Sequence, residues 1–106
     1  MIQVLVKKQN GTINGFHIEG HSGYADRGND IICAAVSALA INCMNSIEEF
    51  TQDEFSVGSD EERGMIDFFI PGKVSEQSEL LLKSMIFGIQ NISESYGDHY
   101  VSIINR

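Results

Sequence analysis

Reactive side chains are concentrated in a single stretch of the chain, from His21 to Ser37. The stretch opens with a histidine, continues through a polar loop that holds Gly23 and Gly28, and reaches Cys33 near the start of an apolar segment. A thiolate is a strong nucleophile, and imidazole is the side chain best suited to moving a proton near neutral pH. The residue types and their spacing therefore indicate a thiol active site, with Cys33 as nucleophile and His21 as general base and acid.

The position of Cys33 predicts how its thiol is activated. An apolar helix begins at Asp30, which is its natural N-cap, with Asn29 as the alternative. Cys33 is then about the third helical residue, where unpaired amides and the positive end of the helix dipole favour negative charge. We expect a lowered thiol pKa at this position, and helix amides that are free to donate to the oxyanion of a tetrahedral intermediate.

Two neighbouring residues are candidates for supporting roles. Asp30 is placed to orient the imidazole of His21, and Ser37, four residues after Cys33, lies on the same helical face as the thiol. For both residues the plainer roles, a helix cap and a hydroxyl on a helix face, are favoured. We therefore expect a dyad of His21 and Cys33 rather than a triad.

The second cysteine, Cys43, has no polar neighbour to activate it and is expected to be a small buried apolar residue. Ten helical residues separate it from Cys33, about 15 Å, which is too far for a disulfide within one chain. His17 and His99 are expected on strand surfaces, and about 13 Å along a strand separates His17 from His21, so a shared zinc site is excluded. We expect neither a metal nor a cofactor.

Composition bounds the class of protein and its partners. The chain has 106 residues, which suits one domain spanning 1–106, with 42% hydrophobic residues to form its core. Seven basic against fifteen acidic residues give a net charge of −8, which argues against nucleic acid as the direct ligand. No apolar run of about 18 residues is evident, so we expect no membrane association and a cytoplasmic location.

The N-terminal third predicts a β-hairpin. Residues 1–8 alternate as a strand does, Asn10-Gly11 favours a tight turn, and residues 12–20 return antiparallel. In the return strand Ile13 and Phe16 differ in parity, so one face stays apolar only if a residue is inserted near Asn14-Gly15. We predict a β-bulge there.

The remaining elements alternate between helix and strand. Apolar spacings of three and four predict helices from Asp30 to about Phe50 and from about Ser75 to Gly97. Short strands are expected at 54–58 and 64–70, joined by a turn at 59–63, and at 100–104. The predicted fold is a single-domain two-layer α+β sandwich, in the order strand, strand, helix, strand, strand, helix, strand, with two helices packed on a mixed or antiparallel sheet. The first three turns of the first helix are apolar nearly all round, which favours contact with a second subunit.

Two runs within this stretch carry a resemblance. GHSG at 20–23 and GNDIICAAVS at 28–37 resemble the pattern of the bacterial ribosomal-processing cysteine proteases, the Prp family: G-H-A-G, then G-x-D-[IV]-[VI]-C-A-A-[VI]-S. The main departure is Ser22, where alanine is common. The chain length and the predicted layout are also similar, so the resemblance covers essentially the whole chain.

The resemblance implies a cysteine endopeptidase that removes the N-terminal extension of a large-subunit ribosomal protein, the one numbered twenty-seven. It implies cleavage after a motif resembling a phenylalanine pair and before a small residue, a His21–Cys33 dyad, and a homodimer. It also implies a mobile loop, residues 22–30, that closes over the substrate. The residues assigned to this gate are Ser22, Gly23, Gly28 and Asn29.

Two other classes of protein remain open on the residues alone. The first is a non-enzymatic acidic interaction module that acts in ribosome assembly, in which Cys33 is simply packed. The second is a thiol redox or transferase enzyme, which is disfavoured because the chain has no C-x-x-C pair and no resolving cysteine within reach.

Overall fold

The structure, a computed structural model, describes residues 1–26 and 30–105. The elements along the chain are β1 (Ile2–Gln9), β2 (Thr12–Glu19), α1 (Ile31–Phe50), β3 (Ser56–Asp60), β4 (Met65–Phe69), α2 (Glu76–Tyr96) and β5 (Val101–Asn105). This order confirms the α+β arrangement predicted from the sequence.

The five strands form one mixed sheet in the order β3-β4-β2-β1-β5. β1 pairs antiparallel with β2, β2 with β4, and β3 with β4, whereas β5 runs parallel to β1 at the sheet edge. The parallel pair is possible because α2 carries the chain back across the sheet before β5 begins. The sheet therefore brings the end of β2 next to the turn between β3 and β4.

The N-terminal hairpin has the predicted turn and the predicted bulge. Asn10 and Gly11 both have positive φ, 54° and 80°, as a tight hairpin turn requires. Lys7 pairs with Gly15 and Lys8 pairs with Ile13, which leaves Asn14 as the extra residue of β2. The insertion keeps the apolar side chains of β2 on the face that packs against the helices.

The core lies between the sheet and the two helices. The rings of Phe16 and Phe68 stack at its centre with centroids 5.3 Å apart. Fully burying a large apolar side chain contributes roughly 1.5–3 kcal/mol, so this layer supplies much of the stability. The large side chains with almost no exposed surface are Phe16, Phe68, Ile32, Ile47, Ile70, Leu82, Ile89, Val4, Val6, Val36 and Val101.

Helix α1 corrects one expectation from the sequence. It is 20 residues long and has a mean hydropathy of 1.6 over an 18-residue window, so by length and composition it is long and apolar enough to cross a membrane. Polar residues scattered along the helix interrupt the apolar run in the sequence. In the fold, the stripe formed by Ile32, Val36, Ala40, Cys43 and Ile47 is buried in the core. Packing against α2 and the rest of the core accounts for that part of its apolar surface.

Two other predictions are wrong in detail. β3 begins and ends two residues later than expected, because Ser59 and Asp60 pair with Ile66 and Met65 and the turn is confined to 61–64. His99 lies in the turn before β5 rather than on a strand surface. Ser59 and Asp60 are therefore the last two residues of β3, and His99 is two residues before β5 begins.

Candidate active site

His21 follows the end of β2, as predicted, and is held there by the turn between β3 and β4. Gly20 has a φ of 109°, and its amide donates to the carbonyl of Arg63 at 3.0 Å. The Nε2–H of His21 donates to the main-chain carbonyl of Glu62 at 3.1 Å. A neighbouring hairpin therefore positions the histidine through backbone atoms.

Cys33 is the third residue of α1, as predicted, and it is half-buried. It lies on the wall of a cavity of about 510 Å³ that His21 and Ser37 also line. The other residues that line the cavity are Ile2, Ile18, Gly20, Val36, Ile41, Met44, Val57, Ser59, Asp60, Glu61, Gly64, Met65 and Ile66. The fold thus brings three of the predicted site residues to one mainly apolar cavity with an acidic end.

Asp30 is the N-cap of α1, which confirms the prediction for this residue. Its Oδ1 accepts hydrogen bonds from the amides of Ile32 at 3.1 Å and Cys33 at 2.9 Å. Its Oδ2 accepts from the hydroxyl of Ser22. Both carboxylate oxygens are therefore engaged in the loop and the helix start, and His21 has its hydrogen bond with Glu62 instead. The structure does not bring Asp30 to His21.

The environment of Asp30 keeps its side chain ionised. Burial alone would raise the pKa of this carboxyl, but the hydrogen bonds from Ser22, Cys33 and Ile32 outweigh burial and lower the pKa below its usual 3.8. A carboxylate that accepts several hydrogen bonds is stabilised in its charged form. The negative charge at the helix start is consequently fixed at neutral pH.

Ser22 connects the histidine, the cysteine and the cap, a role that sequence reasoning missed. Only 4% of its surface is exposed. Its hydroxyl donates to Asp30 and accepts from the amide of Tyr24 at 3.1 Å, and its own amide points to the Sγ of Cys33 at 3.3 Å. The signal in the sequence was its departure from the family pattern, because a hydroxyl in place of a methyl group demands a partner when it is buried.

The predicted lowering of the Cys33 pKa is wrong for this structure. Burial raises the pKa of the Cys33 thiol above its usual 9.0, and the nearby Asp30 carboxylate raises it further. Donation from the Ser22 amide acts in the opposite direction but is outweighed. The helix-start argument failed because it left out the burial of the thiol, the larger effect, and the negative charge that the capping aspartate places beside the sulfur.

The expectation of free helix amides is also wrong. The amides of Ile32 and Cys33 donate to the Asp30 side chain, and the amide of Ala34 donates to its carbonyl at 3.1 Å. N-capping consumes the donors that an oxyanion would need. The amide aimed at the sulfur is that of Ser22, one residue after the histidine.

The residues predicted to gate the cavity divide into two groups. Ser22 is buried and fixed, and Gly23 has a φ of 77°, which turns the chain towards Tyr24. Gly28 and Asn29 lie outside the described residues. The ring of Tyr24 packs edge-on against Tyr96 and Tyr100, with centroids 5.8 and 5.3 Å away. The first part of the loop is thus attached to the end of α2 and the start of β5.

The second cysteine is separate from the site. Cys43 is 4% exposed, its Sγ–H donates to the carbonyl of Leu81 at 3.5 Å, and burial raises its pKa to about 12. This confirms the prediction of a small buried residue.

Within 1–26 and 30–105, no group of three or more His, Cys, Asp or Glu side chains is arranged to hold a metal ion.

Comparison with known families identifies the class of protein. The sequence profile of the family described as cysteine protease Prp matches residues 1–101. The ribosomal processing cysteine protease Prp of Bacillus subtilis is 26% identical over 104 residues, which cover 93% of both chains. The protein of the same name from Staphylococcus aureus is 25% identical over 89 residues, 84% of each chain.

Solved structures share the whole fold. The processing protease Prp of Staphylococcus aureus, in complex with a covalently linked product peptide, superposes with a TM-score of 0.92 at 23% identity over the full length of both chains. The crystal structure of SMU.848 from Streptococcus mutans superposes with a TM-score of 0.81 at 28% identity, over all of this chain and 96% of the other. The profile match over residues 1–101 includes the end of β2 and the start of α1. The chain is a member of the cysteine protease Prp family.

Proposed function

We propose that this cysteine protease removes the N-terminal extension of a ribosomal protein, the large-subunit protein numbered twenty-seven, with Cys33 as nucleophile and His21 as general base and acid. The observation that carries the proposal is the shared cavity, which both side chains line while the amide next to His21 points to the Cys33 sulfur at 3.3 Å. The names of the two curated relatives, ribosomal processing proteases, support the class of substrate.

The raised pKa of Cys33 favours a particular first step. A thiol that is neutral at rest needs a base at the moment of attack, and His21 lines the same cavity. The Sγ–C bond forms at the scissile carbonyl while the thiol proton passes to the free ring nitrogen of His21. His21 then protonates the amide nitrogen, the C–N bond breaks, and the C-terminal part of the substrate leaves as an amine.

The second half of the reaction uses the same groups in reverse. Water gives a proton to His21 and attacks the thioester carbonyl, and the collapse of this second intermediate breaks the C–S bond. The proton on His21 returns to the sulfur, and the N-terminal extension leaves as a carboxylic acid. The Ser22 amide, directed at the sulfur, is the donor best placed to stabilise the oxyanion in both halves.

The cavity wall is consistent with an apolar residue of the substrate near the scissile bond. Ile18, Val36, Met44 and Ile66 supply apolar surface, and Asp60 adds a carboxylate at the turn end. The net charge of −8 favours the approach of a basic ribosomal protein, since long-range attraction raises encounter rates. Processing of a ribosomal protein would take place in the cytoplasm, where ribosomes assemble.

We further propose that the protein is a homodimer formed through α1. Ile31 and Ile41 are 52% and 47% exposed, and with Ala34 and Ala38 they form an apolar stripe on the face of α1 away from the core. Ala38→Glu places a charge in this stripe without removing core volume. We expect a dimer mass for the parent and a monomer mass for Ala38→Glu by light scattering at micromolar concentration. A monomeric parent would overturn the dimer.

The decisive experiment for the proposed function is processing of the extended ribosomal protein, followed by mass spectrometry. The parent and the matched control Cys43→Ser should release one N-terminal peptide, and Cys33→Ser and His21→Ala should release none. Thermal unfolding of all four proteins verifies that each is folded. Cleavage by Cys33→Ser at the parent rate, or no cleavage by the parent, would contradict the proposal.

A further inference from the structure

The turn between β3 and β4, residues 61–64, contacts the end of β2 at consecutive positions. The carbonyl of Arg63 accepts from the amide of Gly20 at 3.0 Å, and the carbonyl of Glu62 accepts from Nε2–H of His21 at 3.1 Å. Gly64, with a φ of 60°, packs so closely that a Cβ there would lie 2.5 Å from the carbonyl oxygen of Gly20 and 3.0 Å from Cε1 of His21. The imidazole is thus seated against this turn.

The turn is itself fixed from within. Oδ1 of Asp60 accepts from the amides of Glu62 at 3.1 Å and Arg63 at 3.4 Å. This is an Asx-type turn, in which a short carboxylate side chain takes the place of a backbone acceptor. These hydrogen bonds therefore fix the position of the Glu62 carbonyl in the turn.

An ion pair on the open face of the sheet ties the same turn to β2. The guanidinium of Arg63 donates from Nε and Nη2 to both carboxylate oxygens of Glu19, at 2.8–3.0 Å. Glu19 also accepts from Nε2 of His17 at 2.9 Å, and Nδ1 of His17 contacts Asp67 at 2.8 Å. Glu19 is two residues before His21, so the pair holds the turn and the histidine in register.

The hydrogen bond to a carbonyl decides which ring nitrogen carries the proton. A carbonyl oxygen only accepts, so Nε2 of His21 is the protonated nitrogen and Nδ1 is left as the basic one. In catalytic triads this orienting role belongs to a side-chain carboxylate or amide. In this chain the candidate carboxylate, Asp30, is fully engaged with Ser22 and the helix amides.

We propose that the main-chain carbonyl of Glu62 is the third member of the site, which orients His21, and that Gly64 and Arg63 are positioning residues for that carbonyl. This inference rests on the proposed role of His21 as base. It gives the acidic turn, left unexplained by the sequence, a function in the reaction. Because the orienting group belongs to the backbone, the substitutions that test it are those that move the turn.

The sharpest substitution is Gly64→Ala, with Gly11→Ala as its matched control. Both glycines have positive φ, 60° and 80°, so both variants carry similar backbone strain. A Cβ on Gly64 collides with Gly20 and His21, whereas a Cβ on Gly11 meets nothing within 4 Å. We expect kcat to fall about tenfold or more in Gly64→Ala, with a smaller change in KM, and to stay at the parent value in Gly11→Ala. Equal kcat values in the two variants would overturn the proposal.

A second series keeps the test valid if Gly64→Ala does not fold. Arg63→Gln and Glu19→Gln remove the ion pair at the turn, and Arg63→Lys retains its charge. Lys83→Gln is the control, since Lys83 pairs with Glu79 on α2 at 3.7 Å and is as exposed as Arg63. Because exposed pairs are weak, we expect kcat to fall by about two- to fivefold in the first two variants and to recover partly in Arg63→Lys. Unchanged kcat in Arg63→Gln would contradict the role of Arg63.

A spectroscopic readout separates orientation from general stability. Nitrogen-15 shifts of the His21 ring should report the Nε2–H tautomer in the parent and in Gly11→Ala, and a mixture of tautomers in Gly64→Ala. The same tautomer in all three proteins would overturn the role of the Glu62 carbonyl. If His21→Ala cleaves substrate normally, the proposed function fails. If His21→Ala is inactive while the turn variants match their controls, only this inference fails.

Discussion

α1 and α2 begin with nearly the same arrangement of side chains. Asp30 caps α1 by accepting from the amides of Ile32 and Cys33, and Ser75 caps α2 by accepting from the amide of Ser78 at 3.1 Å. At each start a serine hydroxyl donates to an aspartate, Ser22 to Asp30 and Ser75 to Asp53. Both helices therefore tie the loop before them to their first turn by the same chemistry.

The two starts differ in what the third helical residue faces. In α1 this residue is Cys33, which lies on a cavity that His21 also lines. In α2 it is Ser78, which has no exposed surface and donates to Oγ1 of Thr51 at 3.5 Å. The capped helix start thus stabilises the fold in both places. Only at the start of α1 does the third helical residue line a cavity beside a histidine, and this is where the candidate site lies.

The largest contrast is expected between Cys33→Ala and Ser78→Ala. Cys33→Ala removes the nucleophile and should lower kcat/KM by about a thousandfold or more while leaving the melting temperature close to that of the parent. Ser78→Ala removes a buried hydroxyl and should keep kcat while lowering the free energy of unfolding by about 1 kcal/mol. Kinetics and denaturant unfolding of both variants test this. Similar losses of kcat/KM in the two variants would contradict the claim that only the start of α1 takes part in the reaction.

The two cysteines of α1 should differ in reactivity towards a small alkylating reagent. Both have pKa values raised by burial, but Cys33 lines the cavity and Cys43 has a pKa of about 12 in the core. Since only the thiolate reacts, Cys33 should be alkylated slowly at pH 6 and about tenfold faster per pH unit towards pH 9. Peptide mapping should find Cys43 unmodified in the folded protein. Rapid labelling of Cys33 at pH 6 would show a thiolate at rest and contradict the general-base step.

Replacing the two capping residues, Asp30 and Ser75, by alanine should lower the free energy of unfolding by different amounts. Asp30→Ala removes three accepted hydrogen bonds and leaves the hydroxyl of Ser22 buried without its acceptor, so we expect a loss of about 2–3 kcal/mol. Ser75→Ala removes the bond accepted from the Ser78 amide and the bond donated to Asp53, which keeps the Ser75 amide as a donor, so we expect a smaller loss of about 1 kcal/mol and an unchanged kcat. Chemical denaturation measures both. A larger loss for Ser75→Ala would mean that Asp30 is less important to the fold than its contacts indicate.

The smallest effects concern pH and stability at the two starts. Burial opposes ionisation of Asp30 and Asp53, yet hydrogen bonds led by those from Ser22 and Ser75 lower both pKa values below 3.8. A lowered pKa stabilises the fold above pH 3.8 and loses this contribution as pH falls through the folded value. His17 shows the opposite pH dependence. Its hydrogen bonds to Glu19 and Asp67 raise its pKa above 6.5, so its contribution to stability is complete below pH 6.5 and is lost as pH rises through the raised pKa. The gap in melting temperature between the parent and Asp30→Asn or Asp53→Asn should narrow as pH falls below 3.8, and a constant gap would refute this linkage.

The sequence predicted the parts of the site that depend on local pattern. Apolar spacing placed Cys33 in the first turn of α1, and the residue type of Asp30 identified the cap. A parity argument also placed the bulge at Asn14. Each of these rests on neighbours within a few positions, where helix and strand geometry is nearly fixed.

The parts that could not be predicted depend on contacts between distant segments. The carbonyl of Glu62 reaches His21 across 41 residues, through a backbone atom that every residue type possesses. The direction of the Cys33 pKa depends first on burial, which spacing does not reveal, and then on the charge of Asp30, which the helix-start argument treated only as a cap. The strand order, which places the β3–β4 turn beside β2, brings the carbonyl of Glu62 to His21.

The central claim, that Cys33 is the nucleophile, is tested most directly by trapping the acyl-enzyme. A peptide ester of the extension sequence, mixed with the protein and quenched in acid within a second, should add the mass of the acyl group to the intact chain. Peptide mapping should place the adduct on Cys33, with none on Cys43 and none on a Cys33→Ser variant. Hydrolysis of the ester at an equal rate by Cys33→Ser, or an adduct on another residue, would contradict the claim.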